Sequence, residues 1–540
     1  MEKITFCLIV LLSFLLINGV KAQTPTIKWW FDTKDASYGQ SAAADIDGDG
    51  KLEIVFGCYR NDSCVYALKA EDGSLLWKYN THGAFEGCND VAPLIYDVDN
   101  DDSLEVIVAG SCNPVTYCFN GRTGAVKWKC NTRGSDSPPT IADINNDGKL
   151  EILHGEFDGY VICIDAENGT KLWEIPVDTN SWIQTAPTIL DVNGDGVLDF
   201  VIGTWNSVNK ADNKIYAYRG DNHTLLWSYP ISDVVYHGTA VADLNHDNKP
   251  ELVIGCYNDT LYCINAENGT TNWKYSYGNG YYMGAPVTIA DLNKDGWCEV
   301  VFTAWYVVGA LSHDGKLLWE YDIPNYEQAF RGVAIADINN DDYPDVIFGT
   351  DKGKVIALSG KDGTLIWTID LAAHYGNPAF ALENAPLVAD FDNDGTKDVF
   401  IVGGHSEYPA FNNDFGRAYM ISAGKGNGPD WLMFQHDIRR QSSLCENPTI
   451  VADEKITTDT LQIKIFPNPV NTSIIIQFPN PGNENCCILI FNSLGQEVQK
   501  IENITGSEVN VTSKNRQKGM YMFQLQKSGM IAGQGKFMID

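Results

Sequence analysis

One motif recurs eight times along the chain and nearly fixes what it folds into: Asp-x-(Asp/Asn)-x-Asp-(Gly/Asn/Asp)-x-x-(Asp/Glu). The copies are "DIDGDGKLE" at 45, "DVDNDDSLE" at 97, "DINNDGKLE" at 143, "DVNGDGVLD" at 191, "DLNHDNKPE" at 243, "DLNKDGWCE" at 291, "DINNDDYPD" at 337 and "DFDNDGTKD" at 390. Successive copies start 46 to 53 residues apart, a spacing too regular for chance and long enough for one small antiparallel sheet. A short apolar strand such as "APTIL" precedes each copy, and a β-rich run such as "LEIVFG" or "PDVIFG" follows it. A second hairpin comes next, as in "VYALKAEDGSLLWKY" and "VICIDAENGTKLWEI", with Asp-Gly or Asn-Gly supplying the positive-φ turn. Four strands per unit, eight units and no helical periodicity define an all-β fold, an eight-bladed β-propeller.

The tryptophans indicate how the ring closes. Trp77, Trp128, Trp173, Trp227, Trp273, Trp319 and Trp367 mark the fourth strand of seven units, and the eighth has no clear counterpart after "RAYMISAGKG". The N-terminal "TIKWWFDT" has the same strand character but precedes the first acidic loop. Trp29 or Trp30 is therefore expected to supply the outer strand of the last blade and to seal the ring without an open edge. "DWLMFQHD" around Trp431 is the alternative donor.

The acidic loops meet the requirements of calcium, which takes six to eight oxygen ligands from short side chains on a tight turn. Position 1 is always aspartate: Asp45, Asp97, Asp143, Asp191, Asp243, Asp291, Asp337 and Asp390. Position 3 carries Asp47, Asp99, Asn145, Asn193, Asn245, Asn293, Asn339 and Asp392. Position 5 is again always aspartate: Asp49, Asp101, Asp147, Asp195, Asp247, Asp295, Asp341 and Asp394. Position 9 holds Glu53, Glu105, Glu151, Asp199, Glu251, Glu299, Asp345 and Asp398. Position 6, where the loop must turn with positive φ, is Gly, Asn or Asp throughout, the residue types that best tolerate that region. The motifs hold 29 of the 70 acidic residues, and eight divalent ions would halve the formal charge of -32. Up to eight structural Ca²⁺ ions are expected, joining the first and second strands of each blade. Eight equivalent loops on one rim do not make the paired, differing carboxylates that acid–base catalysis needs.

These loops resemble FG-GAP repeats, the calcium-bearing blades of integrin-type propellers. "CIDAENGTKLW" and "CINAENGTTNW" resemble the tryptophan-docking repeat of quinoprotein-like propellers, and the two resemblances together span roughly residues 24 to 440.

The regularity stops after Trp431, giving a propeller over 23–445 and a polar join over 446–460. Over 461–540, alternating apolar runs separated by turn residues indicate a small β-sandwich. "FPNP", "IFNSLGQEV" and "GMYMFQL" resemble, in order, the C-terminal sorting domain of the type IX secretion system. That resemblance implies the type IX machinery as a partner and export across a Gram-negative outer membrane to the cell surface or medium. At the other end, Lys3, an apolar run and "VKA" form an expected signal peptide over 1–22. No later segment has the roughly 20 apolar residues of a membrane span, and the negative charge argues against nucleic acid as a partner.

In a propeller the joins between blades lie on the face opposite the acidic loops. Here they are varied and aromatic, and Trp182, Trp205, Tyr236, His237, Tyr282, Trp305, Glu327, Arg331 and His405 are expected to line or approach a central funnel. Aromatic platforms with scattered polar groups suit sugar rings. Of the 14 cysteines, Cys118, Cys163 and Cys263 stand where other blades have alanine, and Cys58 with Cys64 and Cys112 with Cys118 are candidate hairpin disulfides. No zinc spacing, nucleophile elbow or phosphate loop is present. The leading expectation is a secreted or cell-surface calcium propeller that binds a glycan or protein ligand without chemistry, with no catalytic residues assigned. The alternative is a carbohydrate-active enzyme, a lyase or hydrolase, using Arg331 with Glu327 or His237 in the funnel. A quinone-dependent dehydrogenase stands third: that family places a vicinal disulfide over its cofactor, and the only adjacent cysteines, Cys486 and Cys487, lie in the sorting module.

Overall fold

The computed structural model describes residues 24–445 except 279, 282 and 330, and in the C-terminal region 464–466, 473–478, 486–492, 497–512, 518–527 and 530–539. The expected signal peptide lies outside the described residues. The chain divides into two compact units, Met1–Val451 and Ala452–Asp540.

The first unit is eight four-stranded antiparallel sheets, seven of them built from strands consecutive in sequence. Blade 1 runs Ala42–Ala44, Glu53–Gly57, Cys64–Lys69 and Leu75–Asn80 from the inside outward. The innermost strands are only three residues long and small or apolar, such as Ala240–Ala242 and Ala334–Ala336. The second strands are buried on both faces, so they read as continuous apolar runs such as Glu53–Gly57 and Asp345–Gly349. Helix among the described residues is confined to Leu371–Tyr375 and three short 3-10 turns, and no described helix is long and apolar enough to cross a membrane.

The ring closes through Thr26–Thr33, which pairs antiparallel with Phe415–Gly424 as the outer strand of blade 8. Trp29, not Trp30, is the docking residue. Its indole Nε1 donates to the carbonyl of Ala70 in blade 1 at 2.9 Å, as Trp77 donates to Gly121 and Trp128 to Ala166 in the next blades. Each of these rings lies over a turn glycine with positive φ, Gly73, Gly124 and Gly169, where any Cβ would strike the indole. Trp30 is 50% exposed.

Trp431 does not close the ring. It opens a segment, residues 431–445, that packs along the inner strands of the blades. Middle residues of the innermost strands donate to it in turn: Val388 to Trp431, Ala43 to Leu432, Ile141 to Ile438, Ile189 to Arg439, Val241 to Gln441 and Ile289 to Ser442. Inner-strand amides that would face an open channel are thereby paired, as buried backbone groups must be. Arg440 is fully buried and donates to the carbonyls of Pro93, Pro139 and Phe434. A disulfide between Cys298 in blade 6 and Cys445 anchors the end of this plug.

The second disulfide is Cys88–Cys112. The expected pairs Cys58–Cys64 and Cys112–Cys118 are not formed; Cys58, Cys64 and Cys118 are buried free thiols. Cys58 and Cys64 face each other through a backbone hydrogen bond, and Cys118 is held in the core opposite Ile107, away from Cys112.

The second unit has a three-stranded sheet of Lys464–Phe466, Ser473–Gln477 and Glu508–Thr512, and a four-stranded sheet of Glu497–Ile504, Cys486–Asn492, Gly519–Lys527 and Met530–Ile539. Ile474, Ile476, Ile488, Ile490, Phe523 and Leu525 from both sheets share one core, the arrangement of a β-sandwich.

Candidate functional site: acidic loops and an axial cup

All eight acidic loops adopt one geometry. In loop 1 the Asp45 carboxylate accepts hydrogen bonds from the amides of Gly48, Asp49 and Gly50 at 2.8 to 3.0 Å, and Asp49 accepts from Lys51. Position 6 has positive φ in every loop, from Gly50 to Gly395 and including Asp102, Asn248 and Asp342. Position 9 opens the second strand and turns back: Glu53 accepts from the amides of Ile46 and Asp47, and the same contact recurs through Glu151, Asp199, Glu251, Glu299 and Asp345.

These position 9 carboxylates are at most 3% exposed. Burial, reinforced by the neighbouring aspartates, pushes Glu53, Glu151, Glu251 and Glu299 up to about 7 and Asp345 up to about 8. Burial likewise holds Asp199 and Asp398 at about 7 and raises Glu105. An ionised carboxylate in such a place calls for a cation or a donor.

The loops meet that need in two ways. Where position 3 is asparagine, its amide donates to the position 9 acid, as Asn145 does to Glu151, Asn245 to Glu251, Asn293 to Glu299 and Asn339 to Asp345. Asn193 of loop 4 is the exception, and there Arg219 pairs with Asp195. Where position 3 is aspartate, a lysine enters the loop instead. Lys69 meets Asp47 and Asp49, Lys127 meets Asp99 and Glu105, and Lys28 meets Asp392, Asp394 and Asp398. Loops 1, 2 and 8, neighbours around the closure of the ring, each gather three carboxylates within 4.8 Å: Asp45, Asp47 and Glu53; Asp97, Asp99 and Asp101; Asp390, Asp392 and Asp398. Glu53 Oε1, Asp99 Oδ1, Asp199 Oδ1 and Asp392 Oδ1 are buried without a hydrogen-bond partner. Hard oxygen donors with unpartnered lone pairs fit calcium; in loops 1, 2 and 8 the ion would displace an ammonium group.

On the opposite face, four residues before each innermost strand and seven before the first aspartate of its loop, stands a ring of residues, one from each blade. Seven of the eight positions are described: Tyr38, Asp90, Asp136, Gln184, Tyr236, Gly284 and Glu383. Arg331, from the seventh blade, lies among them. It donates to Tyr236 Oη at 3.0 Å and acts electrostatically on Tyr38, Asp90, Asp136, His237 and Glu383. The plug closes this space from below, with Phe434 against His237 at 5.8 Å and Gln435 bonded to Thr239. The funnel is thus a blind cup.

Of the residues expected there, Tyr236, His237 and Arg331 belong to the cup. His237 is buried, and burial beside Arg331 holds it well below the usual histidine range, which leaves a neutral imidazole. Trp205 packs on Tyr236 and Tyr257, and its backbone pairs with that of Trp182, which is 46% exposed and rests on Phe157. Trp305 joins Tyr281 and Tyr306 in a second aromatic group. Glu327 corrects the expectation: it is buried, accepts from Thr350 at 3.0 Å and pairs with Lys354, so its carboxylate serves blade 7. His405 lies within electrostatic reach of Glu383 but lines a separate recess of about 570 Å³ with Asn377, Glu407 and Asp414. Tyr282 lies outside the described residues. Asp90, Asp136, Gln184 and Glu383 escape a search by residue type, because the ring position holds six residue types across the eight blades; the constant offset from the acidic loop is the signal that finds them.

Fold and rim together define an extracellular-type β-propeller with a ring of acidic loops on one face and a closed cup on the other. The chain belongs to the family described as outer membrane protein assembly factor BamB, whose profile matches residues 54–199 and 211–431. Residues 464–540 match the secretion system C-terminal sorting domain, and the protein is exported by the type IX route to the cell surface or medium. Among solved structures, the chain is similar to the V. cholerae biofilm matrix protein Bap1, at 15% identity and TM-score 0.56 over 76% of this chain and 94% of that one. It is also similar to quinohemoprotein alcohol dehydrogenase from Comamonas testosteroni (14%, TM-score 0.52, 77% and 79%). A third similarity is to Saccharomyces cerevisiae Sqt1 (11%, TM-score 0.53, 74% and 99%). At these identities the likeness is one of fold. No match is found among the curated proteins.

Proposed function

We propose that this protein is a calcium-stapled binding propeller, acting outside the cell as a non-catalytic platform for a glycan or surface-protein ligand. The observation that carries the ligand reading is the division of labour between the faces: one is uniform and acidic, the other varied, aromatic and centred on a polar cup. The acidic loops, of the FG-GAP kind, hold calcium through positions 1, 3, 5 and 9 and stiffen the blades. The half-exposed Trp182, set beside Trp205 and Tyr236, presents an aromatic surface of the sort on which sugar rings stack.

A screen of polysaccharides and surface glycans against the full chain, with calcium and with chelator, tests this reading. Retention without new unsaturated or reducing ends is expected, and Trp182→Ala should weaken retention about tenfold, equivalent to about 1.4 kcal/mol of lost stacking. Release of such ends would favour the enzymatic reading, with Asp90 and Asp136, two carboxylates on neighbouring blades, as the acid–base pair. Failure to retain any glycan would remove the glycan platform.

A further inference from the structure

The axial cup carries an imbalance that selects among ligands. Three carboxylates, Asp90, Asp136 and Glu383, lie within electrostatic reach of the guanidinium of Arg331, and Asp90 is also reached by Arg60. Asp90 accepts from Ser111 Oγ at 3.0 Å, and Asp136 Oδ2 accepts from Gln184 Nε2 at 2.9 Å. Two acceptors on adjacent blades are then left over, Asp136 Oδ1 and Gln184 Oε1, the latter on a side chain only 5% exposed. Gln435 Oε1, in the floor, is a third. Across the cup, Arg331 Nε and the ring nitrogen His237 Nε2 are also buried without a partner. Burial raises both Asp90 and Asp136, and the Asp90 carboxylate raises Asp136 further, a cost that a positively charged donor would relieve.

We infer that the cup binds a primary ammonium group on a hydroxylated ring, the chemistry of a 2-amino-2-deoxy sugar. The ammonium would sit against Asp136, Gln184 and Asp90, and a hydroxyl oxygen would accept from Arg331. An ammonium offers three donors, two of them to the surplus acceptors Asp136 Oδ1 and Gln184 Oε1 and the third to the Asp90 carboxylate. A neutral sugar leaves the carboxylates uncompensated, and an N-acetyl group replaces the charge with a single amide donor. Arg331 disfavours a bare divalent ion, which would share the cup with a fixed positive charge. This inference rests on the glycan reading above and narrows it.

Titration calorimetry of the full chain with glucosamine, glucose and N-acetylglucosamine tests it. Glucosamine is expected to bind at least tenfold more tightly than either neutral sugar. Asp136→Asn and, separately, Asp90→Asn should each remove at least tenfold of that affinity while the thermal midpoint stays within a few degrees. Should either variant unfold, Gln184→Met supplies the same readout without touching a charge. Equal affinity for the three sugars, or no binding of glucosamine, overturns the inference. So does calcium binding that disappears in Asp136→Asn, which would make the cup a metal site. If glycans are retained in the screen but glucosamine is not preferred, the amine assignment falls and the platform stands; if glucosamine binds in the cup while no glycan is retained, the platform falls alone.

Discussion

Calcium added to chelator-stripped protein is expected to raise the thermal midpoint of the propeller by about 10 °C. An ion at a hundred times its dissociation constant stabilises by about 2.7 kcal/mol per site, so three occupied loops already contribute about 8 kcal/mol. The pH dependence should change with it. Six position 9 carboxylates stand at about 7 in the folded chain and Asp345 at about 8, against ordinary values of 3.8 for Asp and 4.5 for Glu. Without an ion the folded state therefore holds more protons than the unfolded state between about pH 4 and pH 7. Stability must fall as the pH rises through that window and stay low above it. The stripped protein should melt higher at pH 5 than at pH 8. Saturating calcium, which binds the ionised carboxylates, should flatten or invert that slope. Scanning calorimetry at the two pH values checks both; equal midpoints with calcium and chelator would sink the staple.

Trp29→Ala should cost about 3 to 5 kcal/mol, the usual cost of emptying a buried tryptophan site, whereas Trp30→Ala should cost less than about 1 kcal/mol. The two side chains are adjacent, yet Trp29 lies against Gly73 and donates to Ala70 while Trp30 is half exposed. Removing residues 24–33 altogether should do more, because it strips the edge of Phe415–Gly424 and the Lys28 ion pairs with Asp392 and Asp398. A bared edge strand invites pairing with another chain, so this truncation should appear as oligomers in size-exclusion chromatography. A monomer with the parent midpoint would contradict the role given to the clasp.

The ring and its acidic rim were legible because they repeat. Eight copies of one motif average away local ambiguity, and the requirement for positive φ at position 6 is visible in the residues chosen there, Asp102 and Asn248 as much as Gly50. The clasp was legible for the same reason, a missing eighth tryptophan matched by a spare one near the start. The plug was not. "DWLMFQHDIRRQSSLC" has no periodicity, and its meaning lies in backbone contacts to strands as much as about 390 residues earlier in the chain, such as Ala43 with Leu432. Cysteine pairing failed likewise, because proximity in sequence said nothing of Cys298 and Cys445, which are 147 residues apart. The cup was half legible: Tyr236, His237 and Arg331 stand out by type, whereas Asp90 and Asp136 look like any loop aspartates until the fold turns their common offset into a ring. The split between asparagine and lysine loops was also hidden, since Lys28 and Lys127 reach their loops from the fourth strand, one residue before the docking tryptophans Trp29 and Trp128.

Counting bound calcium per chain by elemental analysis, after dialysis of the full protein from calcium into calcium-free buffer, tests the central claim most directly. The account predicts several ions per chain, up to the eight that the loops provide, with the count falling by one in Asp45→Ala and by one more in Asp45→Ala/Asp390→Ala. Less than one ion per chain, or a count unmoved by either variant, would contradict it.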